Sequence, residues 1–322
     1  MDAAQGSQVI DRMCSSFPHP VEYQIIYTLD SKLDPSYYSR YKRLLDKLNA
    51  DSSKLLPQLN FPGLGSSPKE QLSAITTNLL DKLNRPKEMI FSYDYSRDSS
   101  GFVMQRDVTM TACDGSITKN KNVYCSNGQI MGTFDLDNSR AALQPATQRP
   151  PIPDQQWDDV AYLLEGNQLS DIFRNMQIST TQAEGKLIIS GKQSTPTGIT
   201  TCELQIDSGT LCPQVITVSN TNQLGVIVRK ISKEWSFDNS LVLNLPVCVK
   251  QKEFIADDKG QLNLEKEETL SIHAFDVSPQ SSKTSYDQLL QGNFRVFDSI
   301  SATHYISGNP QQMLDQLLLK AK

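Results

Sequence analysis

Apolar and polar residues alternate along much of this chain. Val21, Tyr23, Ile25, Tyr27 and Leu29 alternate with Glu22, Gln24 and Thr28, the pattern of a strand with one covered side. Met89, Phe91, Tyr93 and Tyr95 share one side of a second run. Phe102, Met104, Val108 and Met110 share one side of a third, interrupted by Arg106, and Arg97 to Gly101 supplies the turn of a hairpin. Val123, Cys125, Ile130, Met131 and Phe134 predict short strands around Ser126-Asn-Gly128. The densest block is Thr200 to Lys250. There Cys202, Leu204 and Ile206 alternate with Glu203, Gln205 and Asp207, then come Cys212 to Ser219, Leu224 to Phe237, and Leu241, Leu243, Leu245, Val247 and Val249. Period-two runs separated by polar turns predict the middle of a large antiparallel meander. Met176 to Thr181 and Lys186 to Ser190 lead into it, and Glu268 to Val277, Gly292 to Asp298 and Thr303 to Ile306 read as closing strands.

Helical spacing interrupts this pattern in four places. Asp34-Pro35 precedes a stripe of Tyr37, Tyr41, Leu44 and Leu48. Ser67-Pro-Lys-Glu70 combines a capping box with proline at the first helical position, ahead of Leu72, Ile75, Leu79 and Leu83. Asp154 heads a third helix with Trp157, Val160, Ala161 and Leu164, and Asn309-Pro310 a last one with Met313, Leu314, Leu317 and Leu318. Asp135 to Pro153 is poor in apolar residues and reads as an exposed connection. No β-α-β alternation repeats, which argues against a parallel doubly wound sheet. The expected architecture is α+β, a large curved antiparallel sheet with helices laid over its apolar side. Its parts are a lead segment over 1–20, one domain over 21–309 with a helical insert at 34–84, and a C-terminal helix over 310–322.

Composition narrows the function classes. The chain has 322 residues, 38% hydrophobic and 21% charged, as a globular protein does. Its net charge of −5 comes from 31 basic and 36 acidic residues without long blocks of either sign. Nucleic acid is therefore not an expected partner. No run approaches the roughly 18 apolar residues of a membrane-spanning helix. Met1-Asp-Ala-Ala-Gln-Gly6 lacks the apolar core of a signal peptide, and the expectation is that an export signal has been removed, with an N-terminal lipid anchor left open.

Six cysteines are present, at 14, 113, 125, 202, 212 and 248, with no C-x-x-C spacing. Cys113 and Cys125 flank a segment read as a hairpin centred near Lys119, which would set them opposite each other as a disulfide candidate. Cys202 and Cys212 straddle Ser208-Gly209 less symmetrically and would need a bulge. Buried, unpaired thiols acting as small hydrophobes are the alternative.

Catalytic signatures are scarce. His19, His273 and His304 are widely separated and none has metal-ligand spacing. No nucleophile elbow, Walker loop or dinucleotide-binding motif occurs, so no cofactor or metal is expected. A hydrolase built from Asp94, Arg106 and His273 would require those groups to converge on one face. The strands are instead dense in large apolar residues. Tyr93, Tyr95, Phe102, Met104, Met110, Trp235 and Leu243 either fill a core or line a cavity between sheet and helices suited to an acyl chain or another apolar ligand.

The order of elements adds a resemblance. An early strand, helices, paired aromatic strands, the Asp114-Gly115 turn, the Leu204-Gln-Ile-Asp207 and Pro213-Gln-Val-Ile-Thr-Val218 hairpin and the closing Phe294-Arg-Val-Phe-Asp298 with His304-Tyr305 resemble the lipoprotein-carrier (LolA/LolB-like) superfamily. The resemblance covers Val21 to Ser307. It implies an unclosed antiparallel half-barrel whose concave side is capped by helices and holds acyl chains, in a periplasmic or extracellular protein of the bacterial envelope. Length, the two-helix insert and the six cysteines depart from the carriers. The functional expectation is a non-enzymatic binding protein for a lipid or apolar ligand; the alternative is a structural or protein-interaction module of the cell envelope.

Overall fold

The structure is a computed structural model that describes residues 6, 8–12, 22–55, 67–98, 101–146, 172–173, 175–237, 246–257, 259–276, 289 and 291–308. In chain order its strands are β1 (Tyr23–Leu33), β2 (Glu88–Asp98), β3 (Gly101–Thr111), β4 (Ile117–Ser126), β5 (Ile130–Asp135), β6 (Arg140–Pro145), β7 (Gln177–Ala183) and β8 (Lys186–Thr195). There follow β9 (Gly198–Asp207), β10 (Pro213–Asn222), β11 (Ile227–Phe237), β12 (Pro246–Ala256), β13 (Leu262–Asp276), β14 (Arg295–Asp298) and β15 (Thr303–Ile306). Helices α1 (Tyr37–Leu55) and α2 (Pro68–Leu83) lie between β1 and β2 in sequence.

These strands make one 15-stranded sheet in the order β15-β14-β6-β5-β4-β3-β2-β1-β13-β12-β11-β10-β9-β8-β7. Its two terminal strands, β15 and β7, do not meet, so the sheet is open. Every pairing is antiparallel except β14 with β6, which is parallel. Two meanders, β2 to β6 and β7 to β13, are joined at β1, which pairs with β2 on one side and β13 on the other.

Side chains alternate between the faces of a strand, and residues opposite one another in register share a face. The face carrying Tyr23, Ile25, Tyr27 and Leu29 of β1 therefore also carries Phe91, Tyr93 and Tyr95 of β2 and Met104 and Val108 of β3. On the other flank it continues through Leu270 and Val249 to Ile216, Leu204 and Ile189. All of these are buried and belong to one hydrophobic cluster. A second, smaller cluster of Val123, Cys125, Phe134, Ala141, Leu143 and Val296 occupies the opposite face of β4, β5, β6 and β14.

Among the described residues, the cover over the larger cluster comes from Ile10 and Phe173, with Val9, Ile172 and Met176 packed beside them. Gly191 of β8 permits that contact: a Cβ there would sit 2.6 Å from Met176 Sδ and 2.9 Å from Phe173 Cδ1. Among the described residues, the two long helices contribute none to either cluster. They dock through polar contacts instead. A bulge between β12 and β13 leaves Glu265 as the extra residue, 4% exposed, where the chain leaves β1. Its carboxylate accepts hydrogen bonds from Tyr41 Oη at 2.7 Å and Arg40 Nη2 at 2.8 Å, and Lys82 Nζ lies at 3.4 Å. Lys82 also stands 4.6 Å from the centre of the Tyr41 ring.

Local sequence explains how this helical pair begins and where its stripe ends. Ser67 and Glu70 form the expected reciprocal cap, Glu70 N donating to Ser67 Oγ and Ser67 N to Glu70 Oε2, with Pro68 in the first turn. Ser36 N donates to Asp34 Oδ1 in a turn ahead of α1. Tyr37 and Tyr41 are buried, but Leu44 is 45% exposed, so only the first turns of α1 are packed.

Three expectations are corrected. Residues 135–153 are not simply an exposed connection, because Arg140–Pro145 is a strand between β5 and β14. The β3–β4 hairpin turns at Asp114-Gly115, where Gly115 takes φ +85, and not near Lys119. That turn separates the Cys113 and Cys125 pair. Cys113 sits in the turn, while Cys125 lies eight residues along β4 from Ile117, about 26 Å away at strand rise, opposite Val103 and Gly132. Cys202 and Cys212 are likewise apart, Cys202 facing Val218 and Gly191 in mid-strand and Cys212 preceding β10. All five described cysteines are free thiols. Cys14, His19, the Pro57–Gly65 loop, the run from Asp154 to Leu169, Leu241 to Leu245 and the C-terminal helix lie outside the described residues.

Candidate functional site

Aromatic rings form a ladder on the covered face at the middle of the sheet. Tyr27 stacks on Tyr93 at 4.6 Å between ring centres and 14°, Phe91 on Tyr93 at 6.1 Å, and Tyr95 on Phe102 at 5.9 Å. Tyr23 packs against Tyr95 at 5.6 Å and against Phe275 at 6.0 Å. Such pairs add about 0.5–1.5 kcal/mol each beyond the area they bury. Burial pushes the Tyr27 phenol well above its usual pKa, and Tyr93, Tyr95 and Tyr23 add to the rise.

Arg106, which interrupts the apolar side of β3, is accommodated within this ladder. Its guanidinium lies over the Phe91 ring at 5.2 Å, and Nη1 donates to Tyr124 Oη at 3.2 Å. The expected lining residues fall on one side of the sheet. Tyr93, Tyr95 and Met104 are buried in the cluster, while Phe102, Met110 and Trp235 pack against it half-buried. Leu243 lies outside the described residues.

The same face changes character toward β15. Ile25, Tyr95, Met104, Tyr124, Thr133, Ala142, Phe297 and His304 are successive cross-strand partners from β1 to β15. The first four are buried; Ala142, Phe297 and His304 are exposed, Phe297 at 45%. A parallel row runs Tyr27, Tyr93, Arg106, Asn122, Asp135, Arg140, Arg295 and Ile306. Where the rows become exposed lies a groove of about 580 Å³ over β5, β6, β14 and β15. Ala142 and Thr133 give it a low floor, the Phe297 and His304 rings, 4.8 Å apart, form one side, and Arg140, Arg295 and Asp135 supply its charge.

A second concavity, about 440 Å³, lies on the opposite face over β7 to β11. It presents Ser179, Ser190, Thr201, Glu203, Thr217 and Lys230, a wetted surface unlike the groove. The imagined hydrolase groups do not converge. Asp94 opposes Ile26 while Arg106 opposes Tyr93, so they lie on opposite faces. Asp94 accepts from Gln24 Nε2 at 2.8 Å, and His273 Nε2 is bonded to Thr28 Oγ1 at 2.9 Å.

Sequence reasoning passed over the groove residues for identifiable reasons. Arg140 to Pro145 is too short and mixed to register as a strand, although Ala141 and Leu143 alternate after the Asp135-Leu-Asp-Asn-Ser139 turn. Arg295, Phe297 and His304 lie in strands expected from the sequence, but β6, on which β14 pairs, comes from far earlier in the chain, Ser299 Oγ donating to Leu143 O across 156 residues.

No protein-family model matches the chain, and no curated protein matches it. Among solved structures, it is similar to an outer membrane lipoprotein-sorting protein domain from Vibrio parahaemolyticus, with a TM-score of 0.38 and 6% identity over 89% of this chain and 97% of that one. It is also similar to a DUF1329 family protein from Desulfovibrio piger, with a TM-score of 0.38 and 7% identity over 90% and 100% of the two chains. At such distance these likenesses transfer neither ligand nor role.

Proposed function

We propose that this chain is a non-enzymatic binding protein that holds a lipid, an acyl chain or another apolar ligand against the aromatic face of its sheet. The observation that carries the reading is the cross-strand row from Ile25 to His304, which leaves the closed aromatic core and emerges, on the same face, in the groove at β5, β6, β14 and β15. A groove of about 580 Å³ falls within the roughly 300–1,000 Å³ of small-molecule sites. In this reading the sheet is the wall of a half-barrel whose apolar side is covered by Ile10, Phe173 and their neighbours. The apolar ligand lies in the groove at the β15 end, over Ala142 and Phe297, and the expected lining residues Tyr93, Tyr95, Phe102, Met104, Met110, Trp235 and Leu243 belong to the aromatic wall behind it. The setting is the periplasmic or extracellular side of a bacterial envelope.

Mass spectrometry of an organic extract of the purified protein, with fluorescent fatty-acid titration, tests this. Co-purifying lipid and saturable uptake, reduced by Ala142→Trp, are expected. Absence of both lipid and uptake overturns the reading.

A second reading, an envelope protein-interaction module, is favoured by Leu44 and Leu80, each 45% exposed on the two adjacent helices. Cross-linking to a protein partner that is lost in Leu44→Asp or Leu80→Asp, without lipid uptake, would support it instead.

A further inference from the structure

Arg140 and Arg295 are direct cross-strand partners in the parallel β6–β14 pair. Like charges placed opposite each other oppose pairing, and ordinarily a carboxylate stands between or beside them. Here neither guanidinium is in an ion pair among the described residues. Asp135, the cross-strand partner of Arg140, accepts from Asn138 N at 3.0 Å and from Asn138 Nδ2 at 2.8 Å, and these bonds, with the Arg140 charge beside it, hold its carboxyl below the usual range. Two guanidinium forks therefore stand side by side on the rim of a mostly apolar groove, with the Asp135 carboxylate beside Arg140 alone and none beside Arg295 in the row. Ile306 completes their row, and Ala142 and Phe297 lie in the row beside them.

Guanidinium is planar and matches carboxylate or phosphate oxygens with two parallel N–H donors. The lone alanine between Thr133 and Phe297 leaves room for methylenes beside that head. Resting on the apolar-ligand reading above, we propose that the groove selects an amphiphile with an anionic head, the head held between Arg140 and Arg295 and the chain laid over Ala142 and Phe297. Neither half suffices alone: inorganic anions lack the apolar contact, and neutral or cationic amphiphiles leave the arginines unpaired.

The test is equilibrium binding of three 16-carbon probes to the full chain: hexadecanoate, hexadecanol and hexadecyltrimethylammonium, with inorganic phosphate as competitor. Hexadecanoate should bind about tenfold or more tighter than hexadecanol, as expected of charge-assisted hydrogen bonds. That preference should shrink at high salt and disappear in Arg140→Gln/Arg295→Gln, whose circular dichroism spectrum and urea midpoint match the parent and so report an intact fold. Millimolar phosphate should not displace the carboxylate probe. Equal affinity for carboxylate and alcohol, or a preference that survives the double substitution, overturns the head-group assignment and leaves apolar binding standing. Full displacement by phosphate overturns the amphiphile. Failure of all three probes to bind overturns both proposals.

Discussion

The two ends of a single cross-strand row behave as different materials. At β1 to β4, Ile25, Tyr95, Met104 and Tyr124 are sealed within a cluster that spans many strands. At β5 to β15, Thr133, Ala142, Phe297 and His304 continue the row without that cover. Register and alternation are the same at both ends; the difference lies in what rests on the face. The same strand chemistry therefore gives rigid core where a cover is present and a recessed, wettable surface where it is not.

The sharpest way to separate the ends is to remove one ring from each. Tyr27→Ala at the closed end should cost about 3–5 kcal/mol, the usual range for deleting a buried aromatic. Phe297→Ala at the open end should stay within about 0.5 kcal/mol in urea denaturation while weakening acyl-probe uptake. Equal losses would mean the groove is packed core. Next in size is Glu265→Ala, expected to cost about 3 kcal/mol because Arg40 and Lys82 lose their buried partner. A loss no larger than that from Glu88→Ala, which breaks the exposed pair with Lys32, would show that the helices are held by something else.

Gly191→Ala should cost about 1–3 kcal/mol through crowding against Met176 and Phe173. Adding Met176→Ala should recover part of that loss if residues 172–176 form the cover. The smallest effect concerns the thiols. Burial pushes Cys125 and Cys202 up to about 12 from a usual value of 9.0. The unfolded chain therefore releases these protons first, so their contribution to stability is complete below about pH 9 and declines as pH rises toward 12. At pH 8 a thiol reagent should modify exposed Cys113 and spare both buried cysteines until denaturant is added. Labelling of Cys125 at the rate of Cys113 would contradict the closed packing on its face.

The meander from β9 to β12 was legible because Cys202, Leu204 and Ile206 alternate without exception and polar turns separate the runs. The Ser67–Glu70 cap was legible because it is a contact between near neighbours. The placement of α1 and α2 was not, since their anchor is Glu265, 224 residues from Tyr41 and visible only once a bulge has set it between strands. Nor was the groove, whose pairing of Arg140 with Arg295 joins strands from distant parts of the chain. Periodicity assigns residues to a face but carries no information about what lies over it. Tyr95 and Phe297 therefore look alike in sequence and differ in the folded chain.

The central position of β1 has a consequence for biogenesis. Thr28 bonds to His273, a separation of 245 residues, so β1 waits for a strand made more than two hundred residues later before its second edge is satisfied. Such long-range closure slows folding, and the waiting edge is a template for intermolecular pairing. A chain stopped before residue 262 would present β1 as a long, aromatic-backed edge open to pairing with another chain.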